Sequence, residues 1–110
     1  MESHIQVLLV SLDALFRKAL ARECRTTTRA VRCLESDDGM GAMLAPALER
    51  MDLVLLDTAL VHRHGAAWLT NWRRMVPRGS VLVLDPHNER TFAQVREAVM
   101  GVVLRAAPAR

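Results

Sequence analysis

Five short runs rich in apolar residues punctuate this chain, and the segments between them carry a helical rather than an alternating pattern. The runs are Ile5 to Val10 (IQVLLV), Ala30 to Glu35 (AVRCLE), Asp52 to Asp57 (DLVLLD), Val81 to Leu84 (VLVL) and Val102 to Leu104 (VVL). A strand that is apolar on both faces has to be covered on both sides, and that is the condition of parallel sheets in α/β proteins. The order of elements therefore predicts an α/β fold with an open five-stranded parallel sheet.

The intervening segments fit that scheme. Asp13 is a good N-cap for a first helix in which Leu15, Phe16, Ala19 and Leu20 follow helical spacing, and the polar stretch Arg25 to Arg29 ends it. Ser36-Asp37-Asp38-Gly39 reads as a turn, and Gly41 to Arg50 as a second helix that Pro46 kinks or delays. Asp57 to Leu60 reads as a turn and His62 to Gly65 as a loop, followed by a helix over Ala66 to Met75 that Pro77-Arg78-Gly79 breaks. A fourth helix is predicted from Thr91 to Met100, with Phe92, Val95 and Val99 inward and Gly101 at its end.

Right-handed crossovers bring all strand C-termini to one edge, where Asp13, Asp57, Asp85 and Arg105 then fall. Beyond the fifth run only Arg105 to Arg110 remains, too short for a covering helix. The expectation is a missing final helix, an uncovered sheet face and hence an interface. The chain would either continue into a linker and output domain or complete its fold on a partner, with a homodimer as the default.

At 110 residues and 51% hydrophobic content, the chain reads as a single domain, 1–110, able to bury its own core. No membrane-length apolar run and no secretory signal is present, so a cytoplasmic location is expected. The net charge of +3 rests on 14 scattered arginines and one lysine, with Arg73-Arg74 the only adjacent arginines. Nucleic-acid binding normally shows a clustered basic face, so such contact is expected only through a separate or partner output domain. Cys24 and Cys33 lack a CxxC or metal-ligand spacing and read as buried small hydrophobes. His62, His64 and His87 read as solvent-facing. No nucleophile–base pair, glycine-rich phosphate loop or metal-spaced cluster occurs; the expectation is no enzyme and no cofactor.

With these residues in place, the chain resembles a response-regulator receiver domain of the flavodoxin-like fold. The stretch Val7 to Leu20 is similar to the start of receivers that carry a helix-turn-helix output, and Asp52 to Leu60 resembles the strand bearing the phospho-accepting aspartate. Gly65, Pro77 with Val81 to Leu84, and Gly101 to Arg105 fall where the family has similar features. The resemblance implies that Asp57 occupies the phospho-acceptor position. It also shows what is altered. The family's acidic pair, which holds Mg²⁺, is replaced by Ser11 and Leu12; the hydroxyl position holds Asp85 and the lysine position Arg105.

Leucine offers Mg²⁺ no oxygen and serine only a neutral one, while Asp85 would repel a phosphoryl group. Arg105 keeps a positive charge and is expected to pair with Asp57 or Asp85. Asp13 lies one position past the acidic pair and is expected to cap the first helix. The expectation is a degenerate receiver-like domain acting by phosphorylation-independent protein–protein interaction in bacterial signalling or transcription regulation. The alternatives are a phosphorylatable receiver with a rearranged metal site and a small basic nucleic-acid adaptor.

Overall fold

β1 (Ile5–Val10) is apolar apart from Gln6 and sits inside the sheet, buried at every residue but that one. A computed structural model describes residues 4–38 and 46–106. In it β1 pairs in parallel with β2 (Val31–Ser36) on one side and with β3 (Leu53–Asp57) on the other. β3, buried along its whole length, pairs in parallel with β4 (Ser80–Leu84), giving the order β2-β1-β3-β4. This is an α/β architecture of the general flavodoxin-like kind. The chain steps from β1 outward to β2, then returns to the other side of β1 for β3, so its direction reverses between β1 and β3.

The pleat sorts side chains to two apolar layers. Ile5, Val7, Leu9, Leu53 and Leu55 face one layer, closed by α1 (Ala14–Thr27) and α4 (Thr91–Ala106). α1 contributes Phe16, Leu20, Ala21 and Cys24, and α4 contributes Val95, Val99 and Val102; Phe16 and Phe92 meet edge to face at 6.4 Å. Leu8, Val10, Val54 and Leu56 face the opposite layer. It is closed by α2 (Thr58–His64), α3 (Ala66–Met75) and a 3₁₀ turn over Pro46–Arg50, through Leu60, Trp72, Val76, Leu48 and Met51. Among the described residues no helix is long and apolar enough to cross a membrane.

Four strands pair among the described residues, not five, and the difference lies at the end of the chain. Val102-Val103-Leu104 is not a strand but part of α4, which runs through Gly101 without interruption. The physical reason is periodicity. Val95, Val99 and Val102 are all buried and lie at the helical spacing of four and three, so continuing the helix buries Val102 at once. A glycine inside a helix costs about 1 kcal/mol relative to alanine, while burying a valine contributes about 1.5–3 kcal/mol. The expected missing final helix is corrected in the same stroke. α4 is a covering helix, packed beside α1 over the face thought to be bare.

Two shorter segments also differ. Thr58–His64 is helical where a turn and loop were expected; Asp57 caps the first turn, and Gly65 ends it with a φ of 90°. Of the helix expected over 41–50, residues 41–45 lie outside the described residues, and 46–50 form the 3₁₀ turn beginning at Pro46, where the missing N–H of proline costs nothing.

The continuity of α4 is directly testable. An added Cβ at Gly101 would meet nothing nearer than the Arg105 guanidinium at 3.7 Å, and the backbone φ is not positive. Gly101→Ala should raise stability by about 0.5–1 kcal/mol in urea denaturation; a loss of stability would contradict a helix at this position.

Candidate functional site

The C-terminal edge of β1 and β3 is where the chain changes direction, and Ser11 and Asp57 meet there. Val10 lies opposite Leu56 in the parallel ladder, so Ser11 and Asp57 are the next neighbours across the two central strands. Ser11 continues the ladder on its other side, its N–H donating to the Ser36 carbonyl at 3.1 Å. The Ser11 hydroxyl donates to Asp57 Oδ2 at 2.7 Å, and Ser11 is fully buried while Asp57 is 6% exposed. The other carboxylate oxygen, Oδ1, accepts the Ala59 N–H at 2.9 Å and so caps α2. Both oxygens of this carboxylate, the one buried among the described residues, are thus engaged by the protein itself.

Ser11 is shared further. Its Oγ accepts the Asp13 N–H at 3.1 Å, and its carbonyl accepts from Arg17 Nη1. Asp13 in turn is the N-cap of α1, its Oδ1 accepting from Leu15 N at 3.0 Å and Phe16 N at 3.2 Å. Arg17 also pairs with Glu35 of β2 at 3.1 Å, and Lys18 joins the same carboxylate at 3.3 Å. Desolvation works against ionisation of Glu35, but hydrogen bonds from Arg17 and then Lys18 outweigh it and hold its carboxyl below the usual range. Arg17 and Glu35 carried no signal in the sequence. Arg17 stands at a position that helical spacing turns to solvent, and only the strand end beneath it draws its guanidinium inward.

The remaining predicted residues divide. Leu12 is 54% exposed beside the edge and offers no ligand atom. Asp85 follows β4 at the same edge but is exposed and closes its own turn: its Oδ1 accepts the His87 N–H at 2.9 Å, and its carbonyl accepts from the Asn88 N–H and from Thr91 Oγ1. Arg105 is the clear correction. Because residues 102–104 are helical, α4 carries Arg105 to the opposite edge of the sheet, into a groove with Asp52, Arg78 and Val102. Among the described residues no ion pair joins it to Asp57 or Asp85. Asp52 marks that far edge, with Oδ2 accepting the Gln6 N–H at 2.8 Å.

These residues do not fit a Mg²⁺ centre. Such an ion needs several oxygens converging on it, and among the described residues no three His, Cys, Asp or Glu side chains are grouped so that they could hold a metal. The histidines do not converge either. His64 stacks on Trp68 with ring centroids 4.7 Å apart, and His62 and His87 are exposed. Trp68 meets Trp72 edge to face at 5.8 Å, and Trp72 is wholly buried in the core. Compared with known proteins, the chain matches no protein-family model and no curated protein significantly.

The Ser11–Asp57 pair makes a quantitative prediction. Ser11→Ala removes the donor to a buried carboxylate and should cost about 1–3 kcal/mol in urea denaturation. Asp57→Ala should cost a similar amount through the lost α2 cap and the orphaned hydroxyl. The double variant should cost clearly less than the sum of the two; strict additivity would mean that the pair is not coupled.

Proposed function

We propose that this chain is a receiver-like interaction module in which Asp57 is a structural residue, and that it acts on a protein partner without being phosphorylated. The observation that carries this reading is the occupation of both Asp57 oxygens, by Ser11 Oγ and by the Ala59 N–H. A phospho-acceptor has to present one oxygen to an incoming phosphoryl group, with positive charge placed to neutralise the others. At this edge Ser11 and Leu12 supply no charge, Asp85 adds the wrong sign, Arg17 is held by the Ser11 carbonyl and paired with Glu35, and Arg105 lies at the far end of the sheet. The resemblance to receivers of transcription regulators supports a place in bacterial signalling.

A second copy of the chain is the partner this reading commits to. β4 is the last strand of the sheet, and among the described residues nothing pairs with its outer side. Val81, Leu82 and Val83 on it are half-buried rather than covered. A two-fold axis beside that strand sets two β4 edges antiparallel, so their free N–H and C=O groups complement each other without any further component. The exposed arginines are spread over α1, β2, α3 and α4, on both faces of the sheet, and this distribution favours a protein partner over nucleic acid.

Two measurements test the reading separately. Incubation with acetyl phosphate and Mg²⁺ should leave Asp57 unlabelled, and beryllofluoride with Mg²⁺ should leave the fluorescence of Trp68 and Trp72 unchanged. A Mg²⁺-dependent phosphoryl group on Asp57 would replace this proposal with a working switch. Light scattering should give the mass of a dimer that Val83→Lys converts to a folded monomer. A wild-type monomer at all concentrations would remove self-association while leaving the first result intact.

A further inference from the structure

Cys24 and Cys33 stand nine residues apart in sequence, on different elements, yet the fold brings them together. α1 ends at Thr27 and β2 begins at Val31, so the last buried turn of the helix folds back along the start of the strand. Val31 and Cys33 face α1 while Arg32 and Leu34 turn the other way, as the period of a strand requires. Cys24 is fully buried in the layer beneath α1 and α4, and Cys33 packs against the same layer. Both are free thiols that enter this one layer from the two neighbouring elements, near enough to perturb each other's ionisation.

The two sulfurs are not equivalent. β2 is the outermost strand on its side of the sheet, paired only with β1, and Cys33 keeps partial access to solvent there. The hydrogen bond from Cys24 brings the Cys33 thiol down to about 7; burial and Glu35 work against that, and Arg25 assists it. The same hydrogen bond, followed by burial, pushes Cys24 up. A partly accessible cysteine on an edge strand with a fully buried one behind it in the same layer is the arrangement of an attacking and a resolving cysteine.

We propose that Cys24 and Cys33 form a thiol–disulfide exchange site that takes a small-molecule disulfide of the glutathione class and closes into a reversible Cys24–Cys33 bond. The Cys33 thiolate attacks one sulfur of the ligand, whose S–S bond breaks and releases one thiolate, leaving a mixed disulfide on Cys33. Cys24 gives up its proton to a departing thiolate, and its sulfur attacks Cys33, expelling the second half of the ligand. Two protein sulfurs are oxidised by two electrons, and one ligand disulfide is reduced to two thiols. The bond ties the last turn of α1 to edge strand β2, and nothing in it depends on Asp57.

The test uses the reduced full chain and oxidised glutathione, followed by alkylation and mass spectrometry. The wild type should lose two hydrogens, resist alkylation at both cysteines and carry no glutathione; dithiothreitol should restore both thiols. Cys24→Ser should stall with one glutathione on Cys33, and Cys33→Ser should leave Cys24 unmodified in the folded protein. Two free thiols after incubation, or a persistent glutathione adduct on the wild type, would overturn the site. The wild-type result stands even if a serine variant fails to fold.

Discussion

Parallel pairing of β1 with β3, in the register that sets Val10 opposite Leu56, places Ser11 beside Asp57 and leaves the two no choice but to hydrogen-bond. A carboxylate this deep needs donors for both oxygens, and it finds one on each side of the sheet's central seam. Through Ala59 it starts α2 on one face; through Ser11 and then Asp13 it is connected to the start of α1 on the other. Helices on opposite faces therefore take their starting points from one buried contact. The polar groups of this edge are turned toward each other and toward the first N–H groups of the two helices.

The same economy governs the end of the chain. A sheet of four strands needs cover over β1 and β3 on the α1 side, and Val95, Val99 and Val102 supply it in one continuous helix. A fifth strand over 102–104 would have taken Val102 out of that layer. Among the described residues the sheet keeps two unpaired edges, the outer sides of β2 and β4. The long terminal helix also explains why Arg105 is remote from Asp57, since a strand and a helix of equal length end at opposite edges when they run back across the sheet.

Much of the architecture could be read before any coordinates. Four of the five apolar runs are strands within a residue of their expected limits, and the N-cap role of Asp13 is as expected. The misreadings share one cause. VVL after a glycine is good strand sequence taken locally, and Thr58 to His64 has too few apolar residues to look helical, yet both are helices. In each case a cap or a buried face elsewhere outweighed the local preference, as tertiary context commonly does. Placing Ser11, Leu12, Asp13, Asp57 and Asp85 at one edge needed only strand ends. Placing Arg105 needed the state of the segment before it.

Apolar runs and helix-capping residues act over a few positions, so the chain alone determined that this is a parallel α/β sheet with Asp57 at a strand end. Which atoms satisfy that carboxylate, and which two cysteines share a layer, depends on residues 46 and nine positions away that come together only once strands register and helices pack. Those contacts were decided by the tertiary structure, because hydrogen bonds and thiol chemistry act over a few ångströms in space and are indifferent to separation along the chain.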